Sequence, residues 1–334
     1  MAQQEASEMD QQEVREQLSS QGKKNIVKML PSLIKKAPFL LKALRKMDPD
    51  EERYVRPPRR YQLPTYRKDM KYCTSKETNL RPVPWCNYRD HSVIAMANEL
   101  GAYQLPDYEY AEAAYLWMKD NVWYEFSDWY NAGETLRRGV GACMHLANTY
   151  IALCRCAGIK SRFKGFKIYM TPTQQQEFFA IQSDFNSMID SVGGIVPELE
   201  AEVFVDGTWV TAYTPQPNAL TAGTNGWPIT EFRETGIGLY FDVVPGSIHR
   251  YEHISRDMGI HTKALTMLAP AMLQRVNVKM TRVQTRGRKY IEDAGGIEGY
   301  NVMARKRRAQ MSPEEIIVSD MRERRAKLVK KAPE

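Results

Sequence analysis

The sequence lacks any long apolar run. Its longest apolar stretch is far shorter than the ~20 residues that a helix needs to span a bilayer, which excludes a transmembrane helix. The first residues, MAQQEASEMDQQEVREQ, are polar and acidic, without the basic and apolar regions of a secretory signal. We therefore expect a cytoplasmic protein, either free or within a large particle.

Cysteine is also scarce. The 334 residues contain five cysteines, an odd number without the spacing of a small disulfide scaffold. This excludes a disulfide-stabilised secreted fold and predicts free thiols in a reducing compartment. Cys73 and Cys86 are too far apart for a zinc knuckle without a second pair, so we expect them to be structural thiols.

Repeats and phosphate-binding loops are missing as well. No internal repeat and no Gly-rich phosphate loop is found, so nothing favours a repeat array or a P-loop nucleotide site. What is present is a globular composition, with 43% hydrophobic residues, 18 tyrosines and 6 tryptophans. A chain of this length can bury one large core or two modest ones.

Positive charge is concentrated at the two ends of the chain. Residues 1–72 hold 16 Lys and Arg against 10 Asp and Glu, and residues 275–334 hold 16 against 8. The middle has a net charge of −7, although the whole chain has +7. This asymmetry indicates that the ends bind an acidic partner, either a protein assembly or a nucleic acid. The alternative is that the ends dock on the acidic middle of the same chain.

One stretch, from Glu134 to Met170, organises the middle of the chain. A Gly-Val-Gly turn at 139–141 leads into Cys143, and apolar residues then recur at helical spacing until Gly158 ends the helix. An alternating strand is predicted over Ser161–Tyr169. Because Cys143 lies at the amino end of a helix, its thiolate is favoured and it is a candidate nucleophile. The alternative is a small apolar residue that begins a core helix.

The pattern R-x-G-x-G-x-C-x-x-x-A-x-x-x-x-x-L-x-R-x-x-G-I-x-x-R, from Arg137 to Arg162, resembles the nucleophile motif of the transglutaminase-like superfamily. Residues 107–124 resemble the helix that precedes this motif, and residues 202–210 resemble the hairpin that follows it, with Asp206-Gly207 as its turn. The resemblance covers about residues 90–245. It implies a papain-like α+β fold and a Cys-His-Asp triad, with oxyanion donors around Ala142 to Met144.

Two positions depart from the family pattern. Glu198 stands where the family keeps its histidine, and Tyr213 stands where it keeps its aspartate. No histidine lies between His145 and His249, and His145 is only two positions from Cys143, so on a helix it points about 200° away. A carboxylate beside a thiol raises the pKa of that thiol, which makes the usual triad mechanism doubtful.

Several other stretches predict local structure. Residues 23–47 are a lysine-rich amphipathic stretch divided by Pro31 and Pro38, suited to a protein surface or, less well, an anionic membrane. We expect an extended connector over residues 48–72.

His249 and His253 have the i, i+4 spacing of a metal-binding pair on a helix, but without a third ligand we interpret them as surface histidines. Further helices are predicted over residues 93–100, 108–124, 174–189, 265–278 and from 312 onward, and strands over residues 201–205, 208–212 and 238–244.

We therefore expect an α+β, papain-like and transglutaminase-like core over residues 73–262, with basic arms at residues 1–72 and 263–334. The predicted function is a binding or structural component of a larger assembly, with a degenerate triad. The alternative is an active cysteine-dependent hydrolase or acyltransferase that uses Cys143. The candidate site residues are Cys143, Glu198 and Tyr213, and neither a cofactor nor a metal is expected.

Overall fold

The computed structural model describes residues 46–47, 49–169, 195–212, 217–224, 242–254 and 270–310, with six further single positions. Within these residues the helices are α1 (His91–Glu99), α2 (Asp107–Asn121), α3 (Ala132–Arg138), α4 (Cys143–Cys156), α5 (Asn218–Thr224), α6 (Pro270–Asp293) and α7 (Ile297–Gln310). The strands are β1 (Trp123–Tyr124), β2 (Val140–Gly141), β3 (Ser161–Tyr169), β4 (Ile195–Val205), β5 (Thr208–Ala212), β6 (Asp242–Val243) and β7 (His249–Tyr251).

The main sheet is antiparallel and is centred on β3 and β4. Its strand order is β5-β4-β3-β6, and β7 pairs with β3 beside β6. The hairpin between β4 and β5 turns at Asp206 and Gly207, whose φ angles of 51° and 73° are the positive values of a two-residue hairpin turn. The predicted hairpin is confirmed, although β4 begins six residues earlier than expected.

Helix α4 packs against this sheet and forms the centre of the core. Tyr150, Ile151 and Leu153 are fully buried, and they belong to one apolar cluster with Phe163 of β3 and Val203 of β4. The predicted α+β fold, in which the cysteine-bearing helix packs on an antiparallel sheet, is confirmed. Arg155 is buried inside this core, where its guanidinium donates to the backbone carbonyls of Arg81, Ser161 and Glu252.

Helix α2 ends three residues earlier than the sequence pattern predicts. Val122 is extended, and Trp123 and Tyr124 form β1, which pairs in parallel with Val140 and Gly141 of β2. The Trp123 N–H donates to the carbonyl of Gly139, so pairing with a distant segment replaces the last helical turn.

Two segments outside the family-like region pack onto this core. Helix α6 ends much later than the predicted residue 278, and it buries Met272, Val276, Met280 and Val283 in the same apolar cluster. The connector is without a helix from residue 49 to residue 72, as predicted, and it is fixed to the body by side-chain bonds. The Tyr61 hydroxyl, for example, donates to the carbonyl of Leu136 at 2.6 Å.

Candidate functional site

Cys143 is the first residue of α4, at the amino end of the helix as predicted. Helix α3 ends at Gly139, whose φ of +71° is a left-handed cap, and the chain then runs through β2 into α4. Gly141 has no room for a side chain, because an added Cβ would lie 2.6 Å from the Cβ of His145. The missing side chain at Gly141 therefore lets β2 lie against the first turn of α4.

His145 is part of the helix start and is not available as a base. Its Nδ1 accepts from the Ala142 N–H at 3.1 Å, and its Nε2 lies 2.9 Å from the Asp128 carbonyl, to which it donates. The ring is buried against Tyr130 and Trp129. Burial lowers the pKa of His145 to about 4, so the imidazole is neutral at physiological pH and both ring nitrogens are occupied.

The side chains that contact the Cys143 sulfur are Glu198 of β4 and Tyr124 of β1. The thiol donates to the Glu198 carboxylate, whereas the Tyr124 hydroxyl donates to the sulfur. Burial, followed by the charge of Glu198, raises the pKa of Cys143 well above its ordinary value. Burial also raises the pKa of Glu198 to about 7, against the opposing effect of bonds from the Leu199 N–H and the Cys143 thiol.

The backbone donors that could hold an oxyanion are already bonded within the protein. The Ala142 N–H donates to His145, and the Cys143 N–H bonds the hydroxyl oxygen of Tyr124. The Met144 N–H is directed at the Cys143 sulfur. Each of these three donors thus has a neighbouring acceptor within the described part of the protein.

Tyr124 is a site residue that sequence reasoning missed, because that reasoning placed it at the end of a helix. Its main chain is held by Gln284 of α6, whose amide accepts from the Tyr124 N–H at 2.8 Å and donates to the Tyr124 carbonyl at 3.0 Å. Asn277, two turns earlier on α6, bonds both main-chain groups of Phe126 in the same way, each at 2.8 Å. The two amides act as a neighbouring strand would, and they fix Tyr124 beside Cys143.

The connector holds the same segment at Glu125. Arg56 donates to both carboxylate oxygens of this buried residue, at 2.9 and 2.7 Å, and the Tyr54 hydroxyl donates to it as well. Glu51 and Glu52 then pair with Arg275 and Arg282 of α6. The strand that carries Tyr124 is thus held between the connector and α6.

The remaining sequence candidates lie elsewhere. Tyr213 falls outside the described residues, as does the helix predicted over residues 174–189. His249 lies on β7 opposite Gly165, so the helical geometry of a His249–His253 metal pair is wrong. Across the described part of the chain, no group of three or more His, Cys, Asp or Glu side chains is arranged to hold a metal ion. All five cysteines are free, and Cys143 is half-buried whereas the other four are buried.

The carboxylates farther along β4 are paired with cations. Glu200 forms an ion pair with Lys164 at 2.9 Å, and Glu202 forms ion pairs with Arg162 at 2.7 Å and Arg250 at 3.0 Å. The Arg162 guanidinium also lies 3.8 Å from the ring centre of Trp209. These contacts brace the sheet and leave Glu198 as the carboxyl that faces the cysteine.

Comparison with known proteins identifies a family for part of the chain. Residues 94–214 match the model of the transglutaminase-like superfamily, so the suspected resemblance is confirmed for this part of the chain. A solved structure described as "Putative Cysteine Protease from Cytophaga hutchinsonii" is 18% identical with a TM-score of 0.31, over 41% of this chain and 40% of that one. The chain thus spans less than half the length of that protein. No curated protein matches the chain.

Among the helices in the described residues, none combines the length and apolar character needed to cross a membrane.

Proposed function

Taking the transglutaminase-like domain at residues 94–214 as the premise, we propose that it is catalytically silent and acts as a binding or structural component of a larger assembly. The observation that carries this proposal is the set of groups around Cys143. Among the described residues, the groups that act on its sulfur are the Glu198 carboxyl, the Tyr124 phenol and the backbone of its own helix, and none of them is an imidazole. A carboxylate beside the thiol opposes formation of the thiolate, which is the nucleophilic form.

The bonding of the backbone N–H groups supports the same proposal. Ala142, Cys143 and Met144 each direct their N–H to an acceptor within the protein. In an active acyl-transfer site such donors face the developing oxyanion, and the loss of one costs about 10² to 10³ in turnover. A site without its base and with its donors occupied is suited to packing and recognition.

The rate of thiol alkylation tests the silent site. We expect iodoacetamide to modify Cys143 at pH 7.4 no faster than it modifies a free cysteine derivative, with Cys143→Ser as the control that assigns the adduct. Modification many times faster than that reference would sink the proposal. Glu198→His places an imidazole where the family has one, and it should accelerate alkylation if this position faces the sulfur.

A second candidate is an active cysteine acyltransferase or hydrolase, and the pKa of Glu198 favours it. A carboxyl with a pKa of about 7 can accept a proton from the thiol at neutral pH. This candidate predicts that an activated ester acylates Cys143, with a rate that rises through pH 7 and is abolished by Glu198→Gln. The silent domain predicts that Glu198→Gln leaves acylation unchanged or raises it.

The proposed partner is acidic, because positive charge is concentrated at residues 1–72 and 275–334. Part of that charge is used internally, since Arg56, Arg275 and Arg282 pair with carboxylates of the same chain. We infer that basic residues outside these pairs contact the partner. Binding of the full chain to a polyanion should weaken steeply with added salt, and removal of residues 1–45 or 311–334 should reduce it.

A further inference from the structure

Two arginines of the connector bond the ends of α2 and α3, and a third, on α6, lies over the ring of Trp123. Arg59 donates to the Arg137 carbonyl at 3.1 Å and to the Tyr61 carbonyl at 2.8 Å, and the guanidinium of Arg60 donates to the Asp120 carbonyl. Arg288 of α6 lies 4.5 Å from the ring centre of Trp123. We call Arg59, Arg60 and Arg288 the Trp123 arginine cluster.

The charges of this cluster are not neutralised by ion pairs. Among the described residues no carboxylate lies within ion-pair distance of any of the three, and the acceptors of Arg59 and Arg60 are main-chain carbonyls. Asp120 and Glu292 are near enough to act on Arg288, but burial and the charge of Arg60 outweigh them and lower its pKa. The positive charge of Arg60 thus acts on Arg288, and a bound anion would offset this repulsion.

The cluster offers hydrogen-bond donors of the kind that a phosphate accepts. Arginine presents a planar fork of N–H groups, and the connector fixes Arg59 and Arg60 through bonds that leave other donors of the fork unused. The indole N–H of Trp123 is buried and has no acceptor among the described residues. Arg59 and Arg60 are exposed, so a ligand can reach the cluster from solvent.

The distribution of charge favours a polymer of phosphates over a single anion or an acidic protein. The cluster draws on both basic ends of the chain: Arg59 and Arg60 belong to residues 1–72, and Arg288 belongs to residues 275–334, which also contain the basic run that begins at Arg305. Protein interfaces deplete charge at their centre, whereas nucleic-acid interfaces are strongly positive. We propose that the Trp123 arginine cluster binds the phosphate backbone of a nucleic acid, which rests on the proposed function that the chain binds an acidic partner.

The test measures how the affinity of the full chain for DNA depends on salt. A fluorescein-labelled 30-nucleotide DNA, single-stranded and as a duplex, is titrated with three proteins. These are the native chain, R59Q/R60Q, and the matched control R67Q/R282Q. The control loses the same charge, but Arg67 and Arg282 are paired with Asp69 and Glu52. Each phosphate contact contributes about −0.7 to −0.9 to the slope of log K against log salt, so R59Q/R60Q should make the slope shallower by about 1.5 and the control should not.

A lysine variant separates charge from structure. R59K/R60K keeps both charges and should retain most of the salt dependence, with binding at least tenfold tighter than that of R59Q/R60Q at low salt. If the lysine and glutamine variants lose binding equally, the two arginines act through their carbonyl bonds and the inference fails. Equal slopes for R59Q/R60Q and R67Q/R282Q would overturn it as well.

The outcomes also distinguish this inference from the proposed function. Tight binding to poly-glutamate with no binding to DNA would overturn a nucleic-acid partner and leave an acidic protein partner standing. Binding to neither polyanion would contradict both the inference and the acidic partner. Thiol reactivity at Cys143 is independent of all these measurements.

Discussion

Glu202 and Glu198 lie four residues apart on β4 in opposite electrostatic settings. Glu202 is buried between Arg162 and Arg250, which compensate its charge. Glu198 instead contacts a thiol and receives one main-chain N–H, from Leu199, and its pKa rises to about 7. The same residue type on the same strand is thus paired with two guanidinium groups at one position and placed beside a thiol at the other.

The difference lies in how each carboxyl is compensated. Ion pairs stabilise the part of the sheet that carries Glu202, whereas burial of a carboxyl beside Cys143 costs stability at neutral pH. We infer that this cost falls at the position where the family resemblance places a histidine. The predictions below test this contrast, from the largest expected effect to the smallest.

Glu202→Gln should give the largest loss of stability. Removal of this carboxylate leaves Arg162 partly buried without its ion pair, and we expect the free energy of unfolding to fall by about 2–3 kcal/mol. Urea denaturation at pH 7.5 measures it. Glu134→Gln is the control, because Glu134 pairs with Arg137 and Arg138 in a more exposed place and should lose less than about 1 kcal/mol. Equal losses would remove the distinction between these two ion-pair sites.

Glu198→Gln should have the opposite sign and depend on pH. A carboxyl whose pKa is about 7 in the folded state and 4.5 in its ordinary state binds a proton more tightly when folded. Its contribution to stability is therefore fully present below pH 4.5 and is lost as the pH rises through 7. The neutral amide does not titrate, so the variant should gain about 2 kcal/mol over the native chain between pH 5 and pH 8.

Thermal melts at half-unit intervals of pH measure this gain. Glu202→Gln provides the contrast, since it should be less stable than the native chain at pH 8. A constant difference between Glu198→Gln and the native chain across this range would show that Glu198 does not titrate near neutrality.

Much of this contrast could be anticipated from local sequence patterns. The Asp206-Gly207 turn sets the register of β4, and a glycine pair before Cys143 places that residue at the start of a helix. These signals are local, because turn geometry and helix starts depend on neighbouring residues. The interaction between Glu198 and Cys143 follows from the packing of α4 on β4, which the family resemblance implied.

Other features have no local signal. Tyr124 leaves the helical pattern because it pairs with Gly141 and because Gln284, 160 residues later, bonds its main chain. Asn277 and Gln284 have polar side chains within an amphipathic pattern, which does not predict that they replace a strand. His249 was placed in a possible helix by its spacing from His253, whereas pairing with Gly165 makes it part of a strand.

The reactivity of Cys143 sharpens the contrast further. Glu198→Gln removes the charge that raises the pKa of the thiol, so the thiolate fraction should increase. Nucleophilicity falls as the pKa falls, and the two effects together predict alkylation about threefold faster for each unit by which the pKa drops. Iodoacetamide labelling followed by mass spectrometry measures it at pH 7.4. Glu202→Gln should leave the rate unchanged, and an equal acceleration there would point to loosening of the sheet.

Tyr124→Phe should give the smallest effect, with the opposite sign. The hydroxyl of Tyr124 donates to the Cys143 sulfur and so stabilises the thiolate, whereas Glu198 destabilises it. Loss of one hydrogen bond of about 1 kcal/mol should raise the pKa of the thiol and slow alkylation about twofold. The phenylalanine also leaves the Cys143 N–H without the oxygen that it now bonds. In the double variant Glu198→His/Tyr124→Phe, this change should free a backbone donor. We would then expect the double variant to turn over an activated ester faster than Glu198→His alone. That result would show that Tyr124 occupies the oxyanion position. If alkylation instead accelerates in Tyr124→Phe, the tyrosine acts mainly by covering the sulfur, and its bond to the thiolate is not the dominant effect.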